Sequence, residues 1–439
     1  MATEKPRVHV YIEKPAPRAV YAVRELLGGV LGLEVVQHTD PASCATADGA
    51  KLSYGEAEVP GAFRVTPAGL LQEEGVRPLE PKVTVHHGLP TMFPVEGGAL
   101  PFDPFAAAFY MWTRYEEVAG MESDSHGRPV TTGLHAARHG HLERPVVDEW
   151  AARLVEAWRA ADPGLLLVKR RYTQTCTIDL DRGFKYLGRP WWRQVAGLLR
   201  DAGSGDRRAV AERIRVLAGR MRDPYDVYAE LARVLPRHAQ RTIFFALSAP
   251  PGPMDHAVPV RNKHYRQRLI GLSNWAEVGV HPGYDSSEIV EHIGRDIQAL
   301  AAAIGLPVHV GRQHFLRMRI PFTYRELEKA GIREDHSMGL HDRIGFRAGT
   351  CTPYRWYDLQ QECATELMVH PFAVMDDALH RKMGLAPDAA VDQVRHVVDR
   401  VRAVSGSFVG LYHEAYLGDD PTLAGWRAAI HRIIEEARP

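Results

Sequence analysis

From residue 171 to the C-terminus, short β-rich segments alternate with helical ones. RYTQTCTIDLD (171–181), RTIFFALS (241–248), WAEVGVH (275–281), HVGRQHFLRM (309–318) and SFVGLYH (407–413) are rich in β-branched and aromatic residues, as strands are. Between them lie SSEIVEHIGRDIQALAAAIG (286–305), an amphipathic helix opened by a serine cap, and helices at YRELEKAG (324–331) and AAVDQVRHVVDRVRAV (389–404). Strands separated by whole helices cannot pair as hairpins, so they pair in parallel through crossovers. The pattern predicts a parallel sheet or barrel, with functional side chains at the carboxyl ends of its strands.

A smaller mixed α/β unit precedes it. KPRVHVYI (5–12) alternates like a strand, APRAVYAVRELLGGVLG (16–32) has helical spacing, and LEVVQH, KLSYG and KVTVHH are further strand-like pieces. LPFDPFAAAFYMWTRYEEVAG (100–120) reads as an apolar-faced helix entered through Pro101 and Pro104, SDSHGRPVTT as a loop, and residues 146–162 as a helix stopped by Pro163-Gly164. We expect a first domain over 1–150 and a second over 170–439. The second carries a charged helical insertion around 191–236, broken at Gly203–Gly205. The 439 residues suit such a division, since domains run to roughly 100–200 residues.

Charge removes one class of partner. Lysine and arginine number 54 and aspartate and glutamate 54, so the chain offers no basic excess of the kind nucleic-acid binders use. No apolar run approaches the roughly 20 residues needed to span a bilayer, and the N-terminus shows no secretory h-region, so a cytoplasmic protein is expected. Cys44, Cys176, Cys351 and Cys363 form no C-x-x-C pair, which removes zinc-ribbon and thioredoxin-like readings. Phosphate-loop, G-x-G-x-x-G and G-x-S-x-G motifs are absent. The 22 histidines direct attention to metal chemistry.

Asp179 and Asp181 end the first strand of the second unit. Two residues apart on a strand, they share a face, and an apolar strand does not bury two acids without a cation or metal; a turn or cap role is the alternative. His281 ends WAEVGVH, four residues before Asp285, where a metal ligand or a loop histidine would fit. In RQHFLRMR, strand alternation puts Arg317 and Arg319 on one face and His314 on the other. With Arg312 they make three arginines able to fix a carboxylate or orient a base, or else a solvated edge. His413 ends SFVGLYH and could be a general acid, with Glu414 orienting it or at the surface. His370 and Asp376 in HPFAVMDD carry less weight, and His126, Arg128, His135, His139 and His141 read as surface or inter-domain contacts.

In this order, these strand ends resemble the polysaccharide deacetylases of carbohydrate esterase family 4, the NodB-like group. TIDLDRG (177–183) is similar to that family's T-F-D-D-G motif with Leu180 inserted. GVHPGYDS (279–286) is similar to its histidine motif, RMRIP (317–321) to its arginine strand, and GLYH (410–413) to its final strand. With GLPTMFP, SHGRP, RQHFLRM and GFRAGT, the whole chain looks like a subgroup bearing an extra N-terminal domain of unknown function.

The resemblance implies a distorted (β/α) barrel of seven or eight strands behind a smaller mixed α/β domain. It also implies a metal-dependent hydrolase that removes the N-acetyl group of an amino sugar or glycan. Asp179 would be the general base, Arg317 a catalytic arginine and His413 the acid that protonates the departing amine. One divalent ion, zinc or else cobalt, nickel or manganese, would be held by Asp181, His281 and either His314 or Asp285. The family's second motif usually offers two histidines four apart, whereas here position 285 is Asp and position 277 Glu. The inserted Leu180 calls for a bulge or turn. The alternatives are an inactive carbohydrate-binding protein on the same barrel and an amidohydrolase acting on a non-sugar C–N bond. No nucleic acid, no membrane span and no particular oligomeric state enter this reading.

Overall fold

A computed structural model describes residues 5–439. It begins with β1 (Arg7–Ile12), β2 (Glu34–His38), β3 (Ala50–Tyr54) and β4 (Phe63–Val65), a wholly parallel sheet in the order β2-β1-β3-β4. The hairpin β5 (Val83–His86) and β6 (Leu89–Met92) turns through His87 and Gly88 at φ 50° and 74°. Positive φ at both residues is what a tight two-residue hairpin requires.

The second sheet comprises β7 (Thr173–Leu180), β8 (Arg241–Leu247), β9 (Glu277–His281), β10 (Val310–Gly311), β11 (Glu334–Asp335), β12 (Tyr354–Asp358), β13 (Cys363–Val369), β14 (Val374–Met375) and β15 (Ser407–His413). Their order is β12-β13-β11-β10-β9-β8-β7-β15-β14, and every neighbouring pair is parallel except β12 with β13. One stretch of chain reaches both flanks. β13 pairs with β11, and just beyond it β14 pairs with β15. Between these pairings, the Phe372 amide donates to the Met338 carbonyl (3.0 Å) and the Ala373 amide to the Val409 carbonyl (3.1 Å).

β7 lies between β8 and β15 and is buried from Cys176 to Leu180. It pairs with both neighbours in unbroken register through Asp179, so the inserted Leu180 requires no bulge within the strand. The chain departs from the expected pattern at HVGRQHFLRM. β10 stops at Gly311, and Phe315 and Leu316 take left-handed φ of 59° and 56°, so residues 317–319 do not share a strand face. The helix Glu291–Ile304 has no serine cap, because the Ser286 hydroxyl donates instead to Gln313 Oε1 (3.0 Å). The insertion forms helices Trp191–Gly203, Arg207–Leu217 and Tyr228–Val234, with the first break at the expected glycines. Among the described residues no helix is long and apolar enough to cross a membrane. All four cysteines are free, with only Cys363 exposed.

The two parts of the chain share one apolar core, in which Val10, Phe109 and Trp150 join Ile178, Phe244 and Val369. Polar contacts seal the junction. Asp148, in the first turn of the helix Val146–Ala161, accepts from the Thr350 hydroxyl (2.7 Å) and the Cys351 amide (3.0 Å). Glu117 accepts from Arg114 Nε (2.8 Å) and from Arg347 Nε (3.0 Å). Burial opposes the charge on Glu117, but the two guanidiniums outweigh it and hold the carboxyl at about 2. A carboxyl depressed in the folded state contributes stability above its unfolded pKa, and that contribution is lost as the pH falls toward the folded value. Glu117→Gln should therefore cost about 3 kcal/mol at neutral pH, because two buried arginines lose their partner. Urea unfolding should show the gap between variant and parent closing as the pH falls from about 4.5 to about 2.

Candidate active site

Among the described residues, three groups of histidines and carboxylates bring their donor atoms within 4.8 Å of one another: Glu80, His135 and His139; Glu334, His336 and His370; and Asp181, His281 and His314. The first two already hold a cation. Arg138 grips both oxygens of Glu80 at 2.8 and 2.7 Å, and Arg241 lies 2.7 Å from Glu334. Among the described residues, Asp181 has only histidines as ion-pair neighbours. His281 Nε2 is 3.4 Å from its Oδ1, His314 Nε2 is 3.8 Å from the same atom, and His413 Nε2 is 3.8 Å from Oδ2.

The donor set fits a divalent ion. The Nδ1 of His281 lies 2.6 Å from the Arg312 carbonyl, and the Nδ1 of His314 lies 2.8 Å from Asp255 Oδ1. A ring nitrogen facing a carbonyl or carboxylate carries the proton, which leaves the Nε2 lone pair of each ring aimed at Asp181. Asp181 Oδ1 is itself buried without a hydrogen-bond partner among the described residues. Burial disfavours charge on Asp181, yet the surrounding rings hold its carboxyl well below the ordinary range. Burial likewise lowers His281, and Asp179 and Asp181 more than reverse this. A cluster that recruits protons in this way is short of positive charge. Asp255 stays a carboxylate because hydrogen bonds from His314 and the Tyr284 amide overcome its burial.

Asp179 is treated differently. Its Oδ1 accepts from Arg312 Nη1 at 2.8 Å, while its Oδ2 lies 3.7 Å from His281 Nε2. Arg312 is completely buried, lies over the rings of Phe245 (4.5 Å) and Phe372 (5.5 Å), and donates through Nε to the His336 carbonyl (2.9 Å). It is a fixed counter-charge. His413 stands opposite Asp179 in the β15–β7 register. Its Nδ1 meets Asp376 Oδ1 at 2.6 Å, and its backbone amide donates to Asp376 Oδ2 at 2.7 Å. Burial lowers the His413 pKa, but Asp376 raises it well above the usual histidine value, so the ring is held as an imidazolium. The buried Glu414 accepts the amides of Asp181 (3.2 Å), Arg182 (2.7 Å) and Gly183 (3.2 Å). It thereby fixes the turn that presents Asp181.

These groups line a cavity of about 420 Å³, walled also by His126 and Arg128 from the first part of the chain. His126 Nδ1 meets the Tyr284 hydroxyl at 2.8 Å, and Arg128 is paired with Asp124 (2.7 Å). Of the residues singled out from the sequence, Asp179, Asp181, His281, His314 and His413 come together here, and two do not. Asp285 is exposed on the turn after His281, away from the three donor atoms. Arg317 does not touch Asp179. It donates to the His126 carbonyl (2.9 Å) and the Tyr284 carbonyl (3.1 Å), lies 4.4 Å over the Tyr284 ring, and pairs with Glu288. The left-handed turn at 315–316 carries Arg317 off the strand path, and Arg312 is the arginine that pairs with Asp179. Asp255 carried no local signal, because it reaches His314 only through the fold.

Residues 8–163 match the model of a family of unknown function (DUF7033). No curated protein matches the sequence. Among solved structures, a Mycobacterium smegmatis protein assigned to the polysaccharide deacetylases is similar at 16% identity, over 61% of this chain and 84% of that one, with a TM-score of 0.39. The polysaccharide deacetylase Bc1974 from Bacillus cereus is similar at 14% identity, over 61% and 87%, with a TM-score of 0.30. BA3943 from Bacillus anthracis, a pseudoenzyme of carbohydrate esterase family 4, is similar at 12% identity, over 61% and 62%, with a TM-score of 0.29. At that distance neither the deacetylases nor the pseudoenzyme lends this chain its activity.

The donor set makes a direct prediction for ion binding. Asp181→Asn and His314→Ala should each weaken zinc or cobalt binding by at least about tenfold, and Asp255→Asn by about 10–100-fold through the His314 ring. Asp285→Asn and Arg317→Gln, outside the cluster, should leave it within about twofold, as read by calorimetric titration.

Proposed function

We propose that the chain is a metal-dependent N-deacetylase of an amino sugar or glycan, built on a distorted barrel in which β7 ends at the two acids. The observation that carries this reading is the convergence of an arginine-held carboxylate and an aspartate-held imidazolium on one empty-charged donor cluster. Asp181, His281 and His314 would hold the ion, with zinc suited to two imidazoles and a carboxylate. Such an ion supplies Lewis acidity, which acidifies water and polarises a carbonyl.

The chain's own residues supply the proton traffic. Asp179 accepts the proton of the attacking water, and Arg312 keeps the carboxylate oriented for that task. His413 delivers its proton to the amine nitrogen as the C–N bond breaks, and Asp376 keeps it charged until then. Acetate and the free amine are the products. A binding protein would need neither proton carrier nor the buried partners that set them, which argues against the inactive alternative. The walls contributed by His126 and Arg128 fit a polar ligand such as a sugar.

Acetate release from N-acetylated oligosaccharides by zinc- or cobalt-loaded protein tests the reading. Asp179→Asn and His413→Ala should each lower kcat by about 10²–10⁴-fold with the ion still bound. Asp376→Asn should lower kcat while leaving KM close to that of the parent. No acetate release by the loaded parent on any acetylated sugar, or an unchanged rate in Asp179→Asn, would overturn it.

A further inference from the structure

We propose that the helical hairpin of residues 191–217 docks on the surface of an anionic phospholipid bilayer. Its two helices are amphipathic in the reverse sense. On Trp191–Gly203 the apolar stripe of Trp191, Val195 and Leu199, spaced at every fourth residue, is 77%, 47% and 68% exposed, beside Trp192 at 54%. Only Gly197 of that helix is buried. On Arg207–Leu217, Ile214 and Leu217 are exposed, while Glu212, Arg213 and Val216 are buried.

Polar groups hold the inner side together. Arg213 lies against Gly197, where a Cβ would come within 2.7 Å of its guanidinium. It donates to Asp201 (2.7 Å) and Gln194 (3.2 Å). Glu212 accepts from Lys185 (2.9 Å) and the Tyr186 hydroxyl (2.7 Å). A hairpin stabilised only by water would turn its leucines and tryptophans inward.

Charge selects the partner. Residues 189–222 contain nine arginines against three acids in a chain whose charges balance overall, and Arg200, Arg207, Arg208, Arg215, Arg220 and Arg222 are exposed. Exposed tryptophans and aliphatics interleaved with arginine are what an element lying in an anionic interface needs. Nucleic acid would use the arginines but not the aliphatic stripe, and a second copy would set two arginine-rich faces against each other. The hairpin is rooted in the loop that follows Asp181, through Lys185 and Tyr186. Attachment therefore sets the catalytic cavity beside the bilayer, where a sugar carried on a lipid would be presented. That consequence rests on the deacetylase reading, whereas the attachment does not.

Flotation of the full-length protein with vesicles tests it. Vesicles containing roughly one-third phosphatidylglycerol should capture at least about tenfold more protein than phosphatidylcholine alone, and high salt should release it. The double variants Trp191→Ser with Leu199→Ser, and Arg207→Glu with Arg208→Glu, should each lose at least about tenfold in capture, with the parent's melting temperature and zinc uptake retained. The proposal fails if the parent ignores anionic vesicles, or if both variants bind them as the parent does. It fails equally if light scattering shows a dimer that the tryptophan variant abolishes, or if the arginines prove to bind RNA in preference to vesicles. Vesicle capture requires no turnover, so it stands or falls separately from acetate release.

Discussion

Two carboxylates at the end of a buried apolar strand must be neutralised, and the second sheet is arranged around that demand. Burying an unpaired carboxylate costs several kcal/mol, more than any one packing contact returns. Strands on both sides of β7 deliver an answer at the same level. β15 brings His413, β9 brings His281, and the chain leaving β10 brings Arg312 and His314. The two acids are answered differently. Asp179 receives a permanent cation, whereas Asp181 is ringed by histidines, His281 and His314 at its Oδ1 and His413 at its Oδ2. On the proposed reading, that difference separates a carboxylate fixed for proton transfer from one poised to share a metal ion.

A second layer makes the first one rigid. Asp255, Asp376 and Glu414 touch no shared centre of their own, yet they determine the tautomer of His314, the charge of His413 and the path of the chain at Asp181. Glu414 is the clearest case. Burial and the nearby Asp181 raise its carboxyl to about 7, and the backbone amides it accepts only partly offset this. The strain of keeping a buried acid is spent on three amides that would otherwise point into the site without partners.

How much of this was legible in the sequence follows from the range of each interaction. Asp179 with Asp181, His281 and His413 stand at strand ends, and strand ends are visible as a switch from apolar alternation to polar turn residues. The strands 173–180, 241–247 and 407–413 are long enough to carry that signal. β10 and β11 are two residues each, too short to show a period, so the order of residues along 312–319 could not be projected onto a face. Alternation set Arg317 and Arg319 on one face because it assumed a strand where Phe315 and Leu316 turn left-handed. Asp255 and the wall residues His126 and Arg128 sit in loops whose arrival at the cavity depends on the tertiary fold. The junction that brings the first part of the chain to that wall, Glu117 with Arg347 and Asp148 with Thr350, spans some two hundred residues of sequence and leaves no local pattern.

The ordinary rule of folding, apolar inside and polar outside, is broken at several places in this chain, and two of them run in opposite directions. Beneath the cavity, the sheet buries Asp179, Arg312 and His281 where hydrophobes would pack more cheaply. On the hairpin, Arg213 and Glu212 are buried while Trp191 and Leu199 face outward. Neither arrangement is what stability alone would select, because a well-packed apolar replacement of a buried charge network is often neutral or better. The two inversions lie on either side of a single short loop, residues 182–190, which leaves Asp181 and enters Trp191. The charges turned inward fit chemistry on a polar group, and the apolar face turned outward fits a surface that delivers that group.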